Sequence, residues 1–185
     1  MPCDDAEPAA ISGSRVVLRR VRRADADELI ALNRASTRYH MPWEAPFTDR
    51  AGFDAWFERG LTGANVVLIA RERLTEEPVG AINFSNIVMA VFRSTYCGYW
   101  GYPRTGGRGL MTEALREAVR FGFEELGLHR IEANIQPGNA RSLALARRAG
   151  FTKEGYSPRY LFLDGAWRDH ERWAIVHDRD RLEIT

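Results

Sequence analysis

Between residues 131 and 136 the chain alternates strictly, with Ile131, Ala133 and Ile135 on one face and Glu132, Asn134 and Gln136 on the other. A period of two predicts a strand buried on one side. Residues 16–21 read as the first strand. A helical period follows over 24–36, with Leu29 and Leu32 spaced to face inward, and Thr48 can cap a second helix carrying Phe53 and Phe57. Strands are expected over 65–71 and 79–84, split by the polar turn at Glu76, Glu77 and Pro78, and over 95–101. The next helix sets Met111, Leu115, Ala118, Gly122 and Leu126 along one stripe. Asn139 can cap a further helix in which Leu143, Ala146 and Ala149 recur, with Gly150 as its left-handed stop. Residues 151–162 and 167–176 form a hairpin around Asp164-Gly165. The order predicts a single α/β (α+β) domain over 15–185 with a mixed sheet, preceded by a disordered tail over 1–14.

Composition narrows the function classes. At 185 residues there is room for one domain with a real core. The 26 basic and 25 acidic residues leave a net charge of +1, which argues against an electrostatic grip on nucleic acid. Cys3 and Cys97 lack metal or redox spacing, and His40, His129, His170 and His177 show no paired ligand spacing, so no metal is expected. No run approaches the roughly 18 apolar residues of a membrane span. These features fit a cytoplasmic protein without a membrane partner. The oligomeric state, monomer or homodimer, is not written in the sequence.

Candidate chemistry concentrates between Arg104 and Thr112, where a glycine-rich turn feeds a helix N-terminus. Bare N–H groups and the helix dipole favour an anion there. A P-loop is excluded, because it needs a Gly-Lys pair and Lys153 is the only lysine. A dinucleotide fingerprint begins at Gly107-Arg108-Gly109 but meets Thr112 at its third glycine; with Glu132 near the ribose-binding place, that reading is weakened rather than closed. A third pattern, Arg/Gln-x-x-Gly-x-Gly/Ala, is matched throughout Arg104-Thr105-Gly106-Gly107-Arg108-Gly109.

That third pattern resembles the pyrophosphate loop of the GNAT acyltransferases. Pro137-Gly138-Asn139-Ala140-Arg141-Ser142, followed by Leu143 and by Gly150-Phe151, resembles the family's second signature. Further segments are similar to the RimJ side of the RimJ/RimL acetyltransferases: Met41-Pro42-Trp43-Glu44, Asn83-Phe84-Ser85-Asn86, His129-Arg130, Glu154-Gly155-Tyr156, Tyr160-Leu161 and Asp164-Gly165-Ala166-Trp167-Arg168-Asp169-His170. The likeness covers about residues 15–176. It implies a twisted, mostly antiparallel sheet flanked by helices and acetyl-CoA as cosubstrate. It also implies main-chain contacts at Trp100, Gly101 and Tyr102, a phosphate grip from Arg104 to Leu110, and pantetheine contacts from Asn139 and Ser142.

Site roles follow in part from the residues themselves. Glu132, on the polar face of an interior strand, is the candidate base, with Asp169 and His170 behind it; a salt-bridged glutamate is the plain alternative. Many family members carry a tyrosine where this chain has Ala146, so the thiolate proton is assigned to Ser142 or solvent. Tyr39, His40, Trp43, Glu44 and Phe47 form a loop-like aromatic stretch suited to an acceptor or to packing, and Asn83, Ser85 and Tyr160 join His40 and Trp43 as acceptor-binding candidates. The resemblance implies transfer to the α-amino group of a protein or peptide, by likeness the N-terminal alanine of a ribosomal protein. Acetylation of a small amine such as an antibiotic or polyamine is one alternative. A non-catalytic acyl-CoA-binding or ribosome-associated module is another.

Overall fold

A short hairpin opens the described chain: β1 (Ile11–Ser12) runs antiparallel to β2 (Val16–Arg20). The structure, a computed structural model, describes residues 11–61 and 64–178. Then come α1 (Ala26–His40), α2 (Arg50–Leu61), β3 (Val66–Glu72), β4 (Pro78–Val88), β5 (Ser94–Gly101), α3 (Leu110–Glu124), β6 (Arg130–Ile135), α4 (Ala140–Ala149), β7 (Thr152–Leu163) and β8 (Ala166–Val176). These strands make one sheet in the order β1-β2-β3-β4-β5-β6-β8-β7. Every neighbouring pair is antiparallel except β5 and β6.

Helices cover both faces, which explains the continuous apolar run Val66-Val67-Leu68-Ile69-Ala70 in β3. On one face Ala114, Leu115 and Ala118 of α3 pack with Leu18, Leu68, Ile82, Phe84 and Ile131. On the other, Leu29, Ile30, Phe53 and Phe57 of α1 and α2 pack with Val67, Ile69, Ala81 and Trp100. The alternation in β6 holds: Ile131, Ala133 and Ile135 are buried, and Glu132 and Asn134 are half-buried on the opposite face.

Several elements depart from the sequence reading. The tail expected over 1–14 ends sooner, because Ile11 and Ser12 pair with Leu18 and Val17, and the Gly13 N–H closes the turn on the Val16 carbonyl at 3.0 Å. Residues 1–10, Cys3 among them, lie outside the described residues. α1 runs on to His40, so Tyr39 and His40 are helical rather than part of a loop. The residue that caps the start of α2 is Asp49, not Thr48; its Oδ1 accepts from the Gly52 N–H at 2.7 Å. In α3 the buried stripe is centred on Leu110, Ala114, Leu115, Ala118 and Gly122, with Met111 and Leu126 only half-buried at its margins. The hairpin turn is as expected, with Asp164 and Gly165 both at positive φ.

Asp25, at the entrance to α1, is 6% exposed and accepts from Arg19 Nη2 at 2.6 Å, Arg19 Nη1 at 2.8 Å and the Arg22 N–H at 2.7 Å. Burial pushes its carboxyl up, but these donors and Arg71 outweigh it and hold it below the ordinary value. A depressed carboxyl contributes stability that is present above its unfolded value, near pH 4, and is lost as pH falls through the folded value. Asp25→Asn is expected to cost about 3 kcal/mol at neutral pH, by stranding a half-buried guanidinium. Urea melts of both forms at neutral and acid pH should show the difference shrinking on acidification.

Candidate active site

The parallel contact between β5 and β6 lasts only from Ser94–Arg130 to Tyr96–Glu132. Beyond Tyr96, β5 stays with β4 while β6 stays with β8, and the two central strands have no further register with each other. This opens a cleft in the middle of the sheet. At its far end β5 passes through Pro103–Thr105 into the glycine loop and α3.

The loop is held from behind. Arg15 Nη1 donates to the Arg108 carbonyl at 3.1 Å and its Nε donates to Glu113 Oε2 at 2.9 Å. Arg108 forks onto both carboxylate oxygens of Glu72. Its half-exposed guanidinium is therefore committed to Glu72. Thr105 is buried, with its hydroxyl on the Tyr102 carbonyl at 3.2 Å. Arg104 is 77% exposed and pairs with Glu77 at 2.8 Å, an exposed pair of little energetic weight that leaves the side chain able to swing to a phosphate. Gly107 and Gly109 adopt φ of 74° and 77°, a conformation that costs other residues about 1–2 kcal/mol. Gly109 is also the N-cap of α3 and offers no side-chain cap. The first-turn N–H groups of α3 thus have no side-chain cap.

The second signature sits across the cleft. Asn139 Oδ1 accepts from the Ser142 N–H at 3.1 Å and so caps α4, a bond worth about 1 kcal/mol. Gly150 terminates α4 at φ 104°. Ser142 Oγ donates to the Tyr99 hydroxyl at 3.0 Å, and that hydroxyl donates to the Ser142 carbonyl at 3.2 Å. Tyr99 was not foreseen; its one signal is its place on β5 one residue before Trp100.

On the α1/α2 side of the sheet the registers bring a second group together. Asn83 faces Gly98, Ser85 faces Tyr96 and Ala81 faces Trp100 across β4 and β5, while Tyr96 is level with Glu132 across β5 and β6. Cross-strand partners share a face, so Asn83, Ser85, Tyr96, Gly98, Trp100, Glu132 and Asn134 all stand on one surface. A Cβ added to Gly98 would meet no atom within 4 Å, so the middle of this surface is hollow. The Oδ1 atoms of Asn83 and Asn134 are buried with no hydrogen-bond partner among the described residues. Asn134 was passed over in the sequence because it read simply as a polar position of β6.

Tyr160 reaches the same surface through a bulge. The β7–β8 register slips between Ser157 and Leu161, where Arg159 takes φ 49° and its N–H donates to Asp169 Oδ1 at 2.7 Å. Asp169 also accepts from Tyr156. Asp169 thus serves the bulge. The neighbouring Tyr96 hydroxyl, with burial and the nearby Glu132 charge, pushes the Tyr160 phenol above the ordinary value. Arg130 Nε donates to Glu132 Oε1 at 2.7 Å, and the same guanidinium also grips Glu154. His170 is buried and joins the Arg168 carbonyl through Nδ1 at 3.0 Å, with its ring 6.0 Å from that of Tyr160.

His40 and the aromatic stretch lie elsewhere than a loop would place them. His40 is 5% exposed, and its Nε2 bonds the Gly101 carbonyl at 2.9 Å, so it braces the end of β5 instead of facing an acceptor. Burial lowers its pKa, more than the Gly101 bond raises it, which favours the neutral ring. Trp100 is buried 5.7 Å from the Trp56 ring, and Phe47 packs 4.9 Å from Trp56. Tyr102 is buried, with its hydroxyl on Asn33 Oδ1 at 3.2 Å. These side chains belong to the core, which leaves the β5 main chain to line the cleft. Trp43 and Tyr39 reach across: a Cβ on Gly138 would stand 2.7 Å from the Trp43 ring, and Arg141 lies 5.0 Å over the Tyr39 ring.

A sheet parted at its centre, with a glycine-rich helix start at one end of the gap, is the architecture of an acyl-CoA-dependent transferase. Residues 15–152 match the acetyltransferase (GNAT) domain, and the chain belongs to that family of acetyltransferases. It is 34% identical over 174 residues, 90% of either chain, to the [ribosomal protein uS5]-alanine N-acetyltransferase of Escherichia coli. The structure of Mycobacterium smegmatis RimJ in complex with CoA-disulfide superposes with a TM-score of 0.79 at 31% identity, covering 90% of this chain and 84% of that one. Over a shorter stretch, 73 residues and 40% of this chain, it is 30% identical to the E. coli spermidine N(1)-acetyltransferase, of which that stretch covers 39%.

Gly109→Asp tests the anion site. Its Cβ would lie an ordinary 3.6 Å from Arg15, so the fold is expected to survive with a loss of about 1–2 kcal/mol at this φ. A carboxylate among the amides repels a diphosphate by several kcal/mol, so acetyl-CoA affinity should fall at least ~100-fold. Titration calorimetry, with a thermal melt as control, measures both.

Proposed function

We propose that the protein transfers the acetyl group of acetyl-CoA to the α-amino group of a protein or peptide, with a ribosomal protein beginning in alanine as the favoured acceptor. Acetyl-CoA is the cosubstrate of this acetyltransferase. The uncapped start of α3 and the glycine loop take its diphosphate. The bared edge of β5 from Cys97 to Gly101 can pair with the amides of the pantetheine arm as an added strand would. Asn139 and Ser142 flank that arm from α4, with the thioester between Ser142 and the acceptor surface.

The observation that carries the acceptor reading is the polar hollow over Gly98. Glu132 brings a carboxylate to it, Tyr96 and Tyr160 bring hydroxyls, and Asn83 and Asn134 stand on the same face with their Oδ1 atoms buried and unpartnered. An amine entering this hollow finds acceptors for its N–H groups. An α-amino group has a pKa of about 7.7–8.0 against about 10.4 for lysine, so a carboxylate acting directly or through water is enough to free its lone pair. Glu132 takes that role; Arg130 occupies one of its oxygens and fixes the carboxylate in place. His40 acts through Gly101, and Trp43 walls the acceptor entrance.

The likeness to a spermidine acetyltransferase keeps a polyamine acceptor as the second reading, which the same acidic hollow would serve. Acetyl-CoA with a panel of alanine- and serine-initiated peptides, spermidine and aminoglycosides separates them. Release of free CoA thiol is expected with the alanine peptides; release with spermidine alone would overturn the peptide reading. Glu132→Gln is expected to slow turnover about a hundredfold below pH 7, with less effect above pH 8 where the amine is already neutral, and to leave acetyl-CoA affinity unchanged. A pH–rate profile with a binding titration checks this.

A further inference from the structure

Acyl transfer leaves negative charge on the sulfur of CoA, and donors aimed at that charge speed its departure. α4 presents Ala146, fully buried, where a phenolic donor could have stood, so the hydroxyl available from this helix is that of Ser142. A lone serine hydroxyl turns freely about its Cβ–Oγ bond. This one does not stand alone. Its Oγ donates to Tyr99 at 3.0 Å, and Tyr99 donates back to the main chain of the same residue at 3.2 Å. Tyr99 belongs to β5 and lies past Tyr96, where β5 has parted from β6. The pair of hydroxyls therefore spans the cleft floor from strand to helix.

We infer that Tyr99 is the positioning residue for thiolate departure, acting through Ser142 as a two-hydroxyl donor chain. As charge grows on sulfur, both O–H bonds turn about their C–O axes. Tyr99 then donates to Ser142 Oγ, and Ser142 donates to sulfur. No heavy atom needs to move and no proton changes owner within the chain; the sulfur takes its proton from water once the acetyl group has gone. Hydrogen bonds in series polarise one another, so the second hydroxyl strengthens the first. Burial raises the Tyr99 phenol far above its ordinary value, against the weaker opposing effect of Ser142, so it remains a neutral donor at any working pH. The inference rests on the reading that places the thioester beside Ser142.

The test needs no acceptor. The thiol of bound CoA is titrated by the ultraviolet absorbance of its thiolate in the parent protein, Tyr99→Phe, Ser142→Ala and the double variant. Tyr99→Phe keeps the ring and its packing. The expected result is a bound-thiol pKa raised in both single variants, with CoA affinity at neutral pH within about twofold in Tyr99→Phe. Peptide acetylation should show kcat lowered about tenfold or more in Tyr99→Phe, the scale of a lost hydrogen bond to a charged group, with KM for acetyl-CoA unmoved. The double variant should be no worse than Ser142→Ala alone, because the two act as one unit. If Ser142→Ala shifts the thiol and Tyr99→Phe does not, the role of Tyr99 is overturned and that of Ser142 stands. If neither shifts it, the placement of the thioester falls and this inference with it.

Discussion

Three residues of parallel pairing, and then separation, are the constraint on which this molecule turns. A parallel pair continued to the end of β6 would satisfy the main chain of both strands and close the sheet. Here β5 is drawn on by β4 and the braces at its end, while β6 is drawn away by β8 and the capped start of α4. His40 on the Gly101 carbonyl and the Tyr102 N–H on Val79 at 3.1 Å secure the β5 side. Both edges of the gap are already committed to other partners, and what remains bare is one line of main-chain groups.

Around that gap the two faces of the sheet do different work. The α3/α4 face carries the uncapped helix start and the Tyr99–Ser142 pair, and the α1/α2 face carries the hollow over Gly98. In the proposed reaction the donor and acceptor of the acyl group approach from opposite sides of one sheet and meet where it is parted. Trp43 against Gly138 and Arg141 over Tyr39 link the two sides at the rim.

Much of this was legible because it is local. The cap by Asn139, the stop at Gly150, the two-residue turn at Asp164-Gly165 and the period of β6 are each set by neighbours within a few positions, and the glycine loop needs only its own backbone. What escaped depends on contacts between distant segments. His40 looked like a loop residue because Pro42 and Pro46 lie close by, yet α1 continues until its ring reaches Gly101. Thr48 and Asp49 are both competent caps, and only the geometry of the Gly52 N–H chooses between them. The tail's last residues follow an acidic, Ala/Pro-rich stretch and show no strand pattern of their own, but the hairpin partner Val17-Leu18 supplies the main chain they pair with. Tyr99 and Asn134 carry no motif of their own; their importance appears only when α4 and the parted strands are set in space. Asp169 was considered as a base, and its fixed bonds to Tyr156 and Arg159 show where its lone pairs are used.

The ties behind the glycine loop are guanidinium to carboxylate: Arg15 with Glu113, and Arg108 with Glu72. Guanidinium does not lose its proton in proteins, and carboxylates so paired stay ionised well into acid. The cradle proposed for the diphosphate consequently keeps these ties across the physiological interval. Any sensitivity of catalysis to acidity there arises at the nucleophile and the groups around it, so the two halves of the reaction centre can be told apart by titration alone.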